Sequence, residues 1–361
     1  MSKMKPWLIV LALLLVISAS CVRIIQSDGS GINEPTKAVT AIDVSAPTTQ
    51  KQVPVTTTQK QVPVTTEIAH TTIPGDPGSP EQTSIEIDTS KTASDKTALG
   101  DSFRLGNFER PFTESTMEYF QENDLLKLSI SKDNNFFYIV IKVAGPSNKT
   151  GYPSATYMVE FDTDTDGRGD VLLMAKGNGS QKWTIEGVSV LIDSNNNVGG
   201  SQPVLPDGNP GDGYDKVLFS TNVLTDPDSA WQRTNGNSEV QLAIKKDLVP
   251  ASHFIWKGWA DSGLVDPTKF DYNDSFSEEE AGSASKSSKF YPVGKLNLMD
   301  STCGIAYNFA ASGKELGGCY QLQPTVAPKA VPVCTSCQQS AACCAQLCPL
   351  YTWVPGGCAP P

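Results

Sequence analysis

Leu126-Lys127-Leu128-Ser129-Ile130-Ser131, then Lys132-Asp133-Asn134-Asn135, then Phe136-Phe137-Tyr138-Ile139-Val140-Ile141-Lys142-Val143 is the stretch on which the fold turns. The first six residues alternate apolar and polar with period two, and the last eight are aromatic and β-branched. Between them lies a short polar run of turn-forming residues, so the stretch predicts an antiparallel hairpin. Further strands are expected at 155–161, 171–175, 188–193, 216–220, 239–244 and 254–260. Val188, Val190 and Ile192 share one face, as do Val240, Leu242 and Ile244. Gly-, Asn-, Asp- and Pro-rich loops separate these strands, and only short helical turns are expected, near 228–233 and 245–248. About 200 residues of short alternating strands predict an all-β fold, a single β-sandwich or jelly-roll domain with long loops over residues 99–300.

Upstream of this domain the chain is different. Lys3 and Lys5 precede an apolar run from Trp7 to Ile17, followed by Ser18-Ala19-Ser20 and Cys21, the pattern of an export signal over residues 1–20. Eleven helical residues cover roughly 17 Å, short of the ~30 Å hydrocarbon core of a bilayer, so a permanent span is not expected. From 21 to 98 the chain is rich in Thr, Ser, Pro and Lys and carries a tandem nine-residue repeat, Gln50–Thr58 and Gln59–Glu67. Such a composition cannot bury enough apolar surface to offset chain entropy, which predicts a disordered linker acting as a stalk.

Downstream, residues 301–361 form a Cys-rich tail. Cys303 and Cys319 bracket a Gly-containing segment, and Cys334, Cys337, Cys343, Cys344, Cys348 and Cys358 follow in a stretch with almost no charge. Zinc is the weaker reading because no His follows His253. In an exported chain the eight are expected to pair as disulfides, in a connectivity the spacing does not give.

The net charge is −11, and removing residues 1–20 takes it to −13 by deleting Lys3 and Lys5. This balance disfavours nucleic-acid binding and suits divalent cations. The clearest chemical motif is Asp162-Thr163-Asp164-Thr165-Asp166-Gly167-Arg168-Gly169-Asp170, between two predicted strands. Alternate carboxylates on a tight loop with a Gly at its sixth position are the pattern that surrounds Ca²⁺ with oxygens. Leu173 stands where a helix-flanked calcium loop has its bidentate Glu, so further ligands must come from elsewhere. The expected metal set is Asp162, Asp164, Asp166, Arg168 and Asp170, with Asp193, Asn195 and Asn197 of a second polar loop, while Asp271–Asp274 could complete a centre from a distance. Trp231 and Trp259 are the candidate ligand-binding aromatics. Trp256 and Trp259, three apart on one strand, should face opposite sides.

Catalytic signals are thin: no Gly-x-Ser-x-Gly elbow, phosphate loop or His-Glu-x-x-His occurs, and His70 falls in the linker. The expectation is therefore a non-catalytic protein. A surface glycan hydrolase with a carboxylate pair and a structural or adhesive protein are the alternatives.

Two resemblances rest on these residues. Ala19-Ser20-Cys21 resembles the lipobox of bacterial lipoproteins, which implies lipidation of Cys21 and membrane anchoring at the cell surface. The region from about 99 to 319 is similar to a group of uncharacterised lipoproteins and secreted proteins of Chloroflexi-type bacteria. It shares with them the Glu160–Asp170 loop, Val198-Gly199-Gly200, Gly213-Tyr214-Asp215, Asp226–Trp231, Trp259-Ala260-Asp261 and Phe270–Asp274. The strand order and the hairpin followed by a calcium-type loop more loosely resemble family 9 carbohydrate-binding modules and DOMON-like sandwiches. The similarity to the lipoprotein group carries no known activity; the looser one implies a glycan, and a polysaccharide or cell-envelope component is the expected ligand.

Overall fold

The computed structural model describes residues 68–319, together with two short strands at 352–354 and 357–359. Two antiparallel sheets face one another. The five-stranded sheet runs in the order β1 (Gln82–Ile85), β3 (Leu125–Lys132), β4 (Phe136–Val143), β10 (Glu239–Lys245), β9 (Ala230–Asn235). The eight-stranded sheet runs β2 (Glu109–Arg110), β12 (Met299–Ser301), β11 (Phe254–Asp261), β5 (Thr156–Asp162), β6 (Val171–Lys176), β7 (Val188–Ile192), β8 (Lys216–Ser220), with β13 (Ile305–Tyr307) also on β11. A terminal hairpin pairs β14 (Thr352–Val354) with β15 (Gly357–Ala359). The fold is all-β, with two short helices, α1 (Tyr272–Ser275) and α2 (Glu278–Ala281). No helix among the described residues is long and apolar enough to cross a membrane.

The hairpin forms as its sequence dictates. Leu128 pairs Ile141 and Ser131 pairs Tyr138. Asp133 Oδ1 closes the turn by accepting the Asn135 and Phe136 amides at 2.7 and 2.8 Å. Period-two alternation then sends Leu128, Ile130, Ile139, Ile141, Val240, Leu242 and Ile244 inward to meet Val159, Phe161, Leu173, Val188, Val190 and Trp256 of the larger sheet.

The larger sheet is covered on its other face as well. Met158, Leu172, Leu191, Trp259 and Met299 project into a second core closed by Tyr272 of α1 and the loop residues Phe108, Val198, Tyr214, Phe270 and Leu296. Trp256 and Trp259 therefore lie in different cores, as their spacing requires. This double burial is why every residue of β5 and β11 is inaccessible. The long loops are consumed in building the second layer.

Three expectations are corrected. The expected linker boundary at residue 98 is too late, since β1 pairs β3 with Gln82 opposite Ile130. A strap before β1 also crosses the five-stranded sheet. His70 Nδ1 lies 2.7 Å from Asp228 Oδ1, the Thr71 and Thr72 amides donate to Asp228 Oδ2, and Gly75 N donates to Tyr138 OH at 3.0 Å. Its polar, Pro-rich composition is the same as that of the preceding sequence, and only the partners across the sheet distinguish it. Secondly, the expected turn near 228–233 is β9, whose register against β10 places Arg233 opposite Gln241. Thirdly, the sandwich runs past residue 300 to include β13.

The Cys303–Cys319 disulfide, sixteen positions apart, ties the segment after β12 to the chain beyond β13. The remaining tail cysteines Cys334, Cys337, Cys343, Cys344 and Cys348 lie outside the described residues, as do residues 1–67, and Cys358 is described by its β15 backbone alone. Closing a loop of this length stabilises by about 3 kcal/mol. The double variant Cys303→Ser/Cys319→Ser should lose about 2–4 kcal/mol in urea unfolding, with a slope no smaller than that of the wild type because the freed unfolded chain exposes more surface.

Candidate metal centre

The loop after β5 is organised by its own carboxylates. Asp162, buried at the strand end, accepts the Thr165 amide at 2.6 Å through Oδ1 and the Gly167 amide at 2.9 Å through Oδ2. Asp164 Oδ1 accepts the Asp166 amide at 3.1 Å, and Asp166 Oδ1 accepts the Arg168 amide at 2.8 Å. The chain curls tightly enough to need φ of +65° at Thr165 and +94° at Gly167. A Cβ at Gly167 would also lie 2.6 Å from Leu316, so the turn requires glycine there. As a result, carboxylate oxygens of Asp162, Asp164 and Asp166 lie within 4.8 Å of one another. Oxygens bound to one Ca²⁺ at about 2.3–2.6 Å are at most about 5 Å apart, so the spacing fits that ion. Burial pushes the Asp162 carboxyl up to about 8 against the pull of its two amide donors. A cation would relieve this penalty on the charged form.

The other expected ligands are used differently. Asp170 Oδ2 accepts the Thr163 amide and hydroxyl at 2.6 and 2.5 Å, closing the base of the loop. The Arg168 guanidinium donates to the carbonyls of Val198, Gly200 and Ser201, which makes it a strut to the next loop. Asp193 caps its own turn by accepting the amides of Asn195, Asn197 and Val198. Asn195 donates to both oxygens of Asp212, and Asn197 Oδ1 accepts the Asp212 amide at 3.3 Å. The contact from this second loop to the carboxylate cluster is made by a neighbour, Asn196, whose Nδ2 donates to Asp166 Oδ2 at 3.0 Å. Asp274 caps the 207–208 turn through Oδ1, and Asp271 faces the buried Lys257 at 3.8 Å. Alternation in sequence reveals that these side chains serve loops; it does not reveal which amide each will take.

No protein-family model, curated protein or solved structure matches this chain. What the centre can do follows from its own geometry.

A second cluster escaped the sequence. Glu109 of β2 lies directly across from Asp300 of β12, and Asp124 enters from the turn before β3. All three are buried, and their carboxylate oxygens converge within 4.8 Å. Thr89 Oγ1 donates to Glu109, the Ser90 amide and Tyr119 OH to Asp124, and the Leu125 amide to Asp300. Burial raises all three carboxyls, Glu109 to about 9, Asp124 to about 6 and Asp300 well above its ordinary value. These residues are far apart in sequence and belong to no local motif; strand register alone unites them.

The aromatic expectation fails on burial. Trp231 is 3% exposed, lies against the His70 ring at 4.5 Å and donates Nε1 to the Asp228 carbonyl. Trp259 is fully buried among Phe108, Phe270 and Tyr272. Neither presents a ring face to a sugar.

Proposed function

We propose that the chain is a lipid-anchored, calcium-stabilised extracytoplasmic β-sandwich acting as a non-catalytic binding module for a polysaccharide or cell-envelope component. The observation that carries this reading is the convergence of Asp162, Asp164 and Asp166 within a loop whose carboxylates already accept backbone amides. Such carboxylates are fixed by the turn and suited to holding a cation that locks loop to loop. Arg168 and Asn196 extend that lock to residues 196–201. The second cluster offers Ca²⁺ another all-oxygen site that would join β2, β12 and the entry to β3. The anchor rests on Ala19-Ser20-Cys21 and the tether on the Thr/Pro-rich sequence after it.

The test uses the full chain expressed with its signal. The wild type is expected in the membrane fraction and Cys21→Ala in the soluble fraction; a Cys21→Ala protein that stays with membranes rules out the lipid anchor. Soluble protein lacking residues 1–21 should be retained by at least one insoluble polysaccharide with Ca²⁺ present and less so in chelator. Retention by none removes the proposed ligand class.

A further inference from the structure

We infer that the ligand groove lies across the outer face of the five-stranded sheet and that its ligand is an uncharged polysaccharide, an inference that rests on the glycan reading above. A groove of about 500 Å³ runs over β3, β4, β10 and β9, with Lys127, Ser129, Gln241, Glu239 and Arg233 on its floor. The strap supplies one wall through Asp76, Pro77 and Gly78. Four adjacent strands at about 4.8 Å spacing give a polar track about 14 Å across, long enough for a short run of sugar rings.

The floor is ordered before any ligand arrives. Arg233 Nη2 donates to Asp76 Oδ1 at 2.7 Å, and Arg233 Nε to Gln241 Oε1 at 2.6 Å. Gln241 Nε2 donates to Glu239 Oε1 at 2.7 Å, as does Asn235 Nδ2 at 2.8 Å. The Arg233 guanidinium also lies over the Trp183 ring, 4.6 Å from its centre. Five side chains thus form one hydrogen-bonded row, so little rotamer entropy is lost on binding. Their unused lone pairs and N–H groups offer acceptors and donors side by side, as successive sugar hydroxyls require. An apolar ligand would leave them unpaired.

Charge selects within the glycans. Lys127 and Arg233 balance Asp76 and Glu239, and every other lining side chain is uncharged. The lining is thus charge-balanced within a protein of net charge −11, and Lys142, opposite both Lys127 and Glu239 on the same face, adds one positive charge beside it. A uronate polymer would meet two carboxylates and a repelling surface. A cationic polymer would meet Lys127 and Arg233, with the local carboxylates already paired or hydrogen-bonded.

Affinity electrophoresis of the soluble chain in Ca²⁺, in gels holding β-glucan, xylan or mannan, tests this against polygalacturonate and chitosan. At least one neutral polymer should retard the wild type and the surface control Lys216→Ala equally. Asn235→Ala and Glu239→Ala should bind that polymer at least tenfold more weakly while melting near the wild-type temperature. The shape-conserving Glu239→Gln should also weaken binding, which separates loss of recognition from loss of fold. If a neutral polymer retards wild type and groove variants alike, the groove assignment is wrong and the glycan reading survives. Retardation by polygalacturonate or chitosan alone overturns the neutral class. Retardation by no polymer overturns the groove together with the glycan reading.

Discussion

Asp162→Ala should lower the stability of the calcium-loaded domain by about 3 kcal/mol or more and erase the difference in melting temperature between Ca²⁺ and chelator. Two effects add. The carboxylate satisfies the Thr165 and Gly167 amides, and leaving a buried donor unpaired costs about 1–3 kcal/mol. Separately, an ion that binds only the folded state at a free concentration one hundred times its dissociation constant stabilises by about 2.7 kcal/mol, a gain the variant cannot collect. Calorimetric Ca²⁺ titration of wild type and variant separates the two. In chelator at about pH 4, where the buried carboxyl is protonated and carries no ionisation penalty, the variant should still melt lower through the two lost amide bonds alone. If chelator leaves the wild-type melting temperature unchanged and titration shows no heat of binding, the cluster is an acidic turn without an ion. Asp170→Ala is the contrasting case: it unties the Thr163 pair at the base of the loop and should lower stability while leaving a calcium response.

In chelator, the melting temperature should fall as pH rises from about 5 to about 9. The sign follows from which state holds protons more tightly. Burial raises the folded-state values of Asp124 to about 6, Asp162 to about 8 and Glu109 to about 9, while the unfolded carboxyls titrate near 4. Between those limits the folded chain binds more protons than the unfolded one, so stability decreases with pH. The contribution of these groups is complete below the unfolded values and is lost as pH climbs through the folded ones. Saturating Ca²⁺ should flatten the curve, because a cation takes the place of the protons. Glu109→Gln should also flatten it in chelator, and should make the variant the more stable of the two at pH 9 under those conditions. A wild-type melting temperature that is constant or rises between pH 6 and 9 in chelator would falsify the account of both clusters.

The two carboxylate clusters show why one was legible in the sequence and the other was not. Asp162, Asp164 and Asp166 are alternate residues of one loop, so their convergence is a property of a short turn and can be read from spacing. Glu109, Asp124 and Asp300 meet because β12 lies between β2 and β11, a pairing that joins segments nearly two hundred residues apart. The expected ligands Asp193, Asn195 and Asn197 illustrate the reverse limit: their loop is beside the centre, yet their side chains are spent on the 193–198 turn and on Asp212. Trp231 and Trp259 were misplaced for a related reason. An isolated indole in a loop-rich sheet looks available until the strap and the second core are seen to cover it.

Local pattern alone was enough for the all-β class, the hairpin at 126–143, the inward faces of β7 and β10, the opposed faces of Trp256 and Trp259, and the tight acidic turn after β5. All of these depend on residues within one or two turns or strands, where period, chirality and side-chain length act locally. The packing of remote segments, by contrast, brings residues 68–98 into the sandwich, buries the larger sheet on both faces, draws three distant carboxylates together, and lays a polar groove across the smaller sheet. Those features are made by register and by burial between remote segments, and neither leaves a mark in the composition of any one of them.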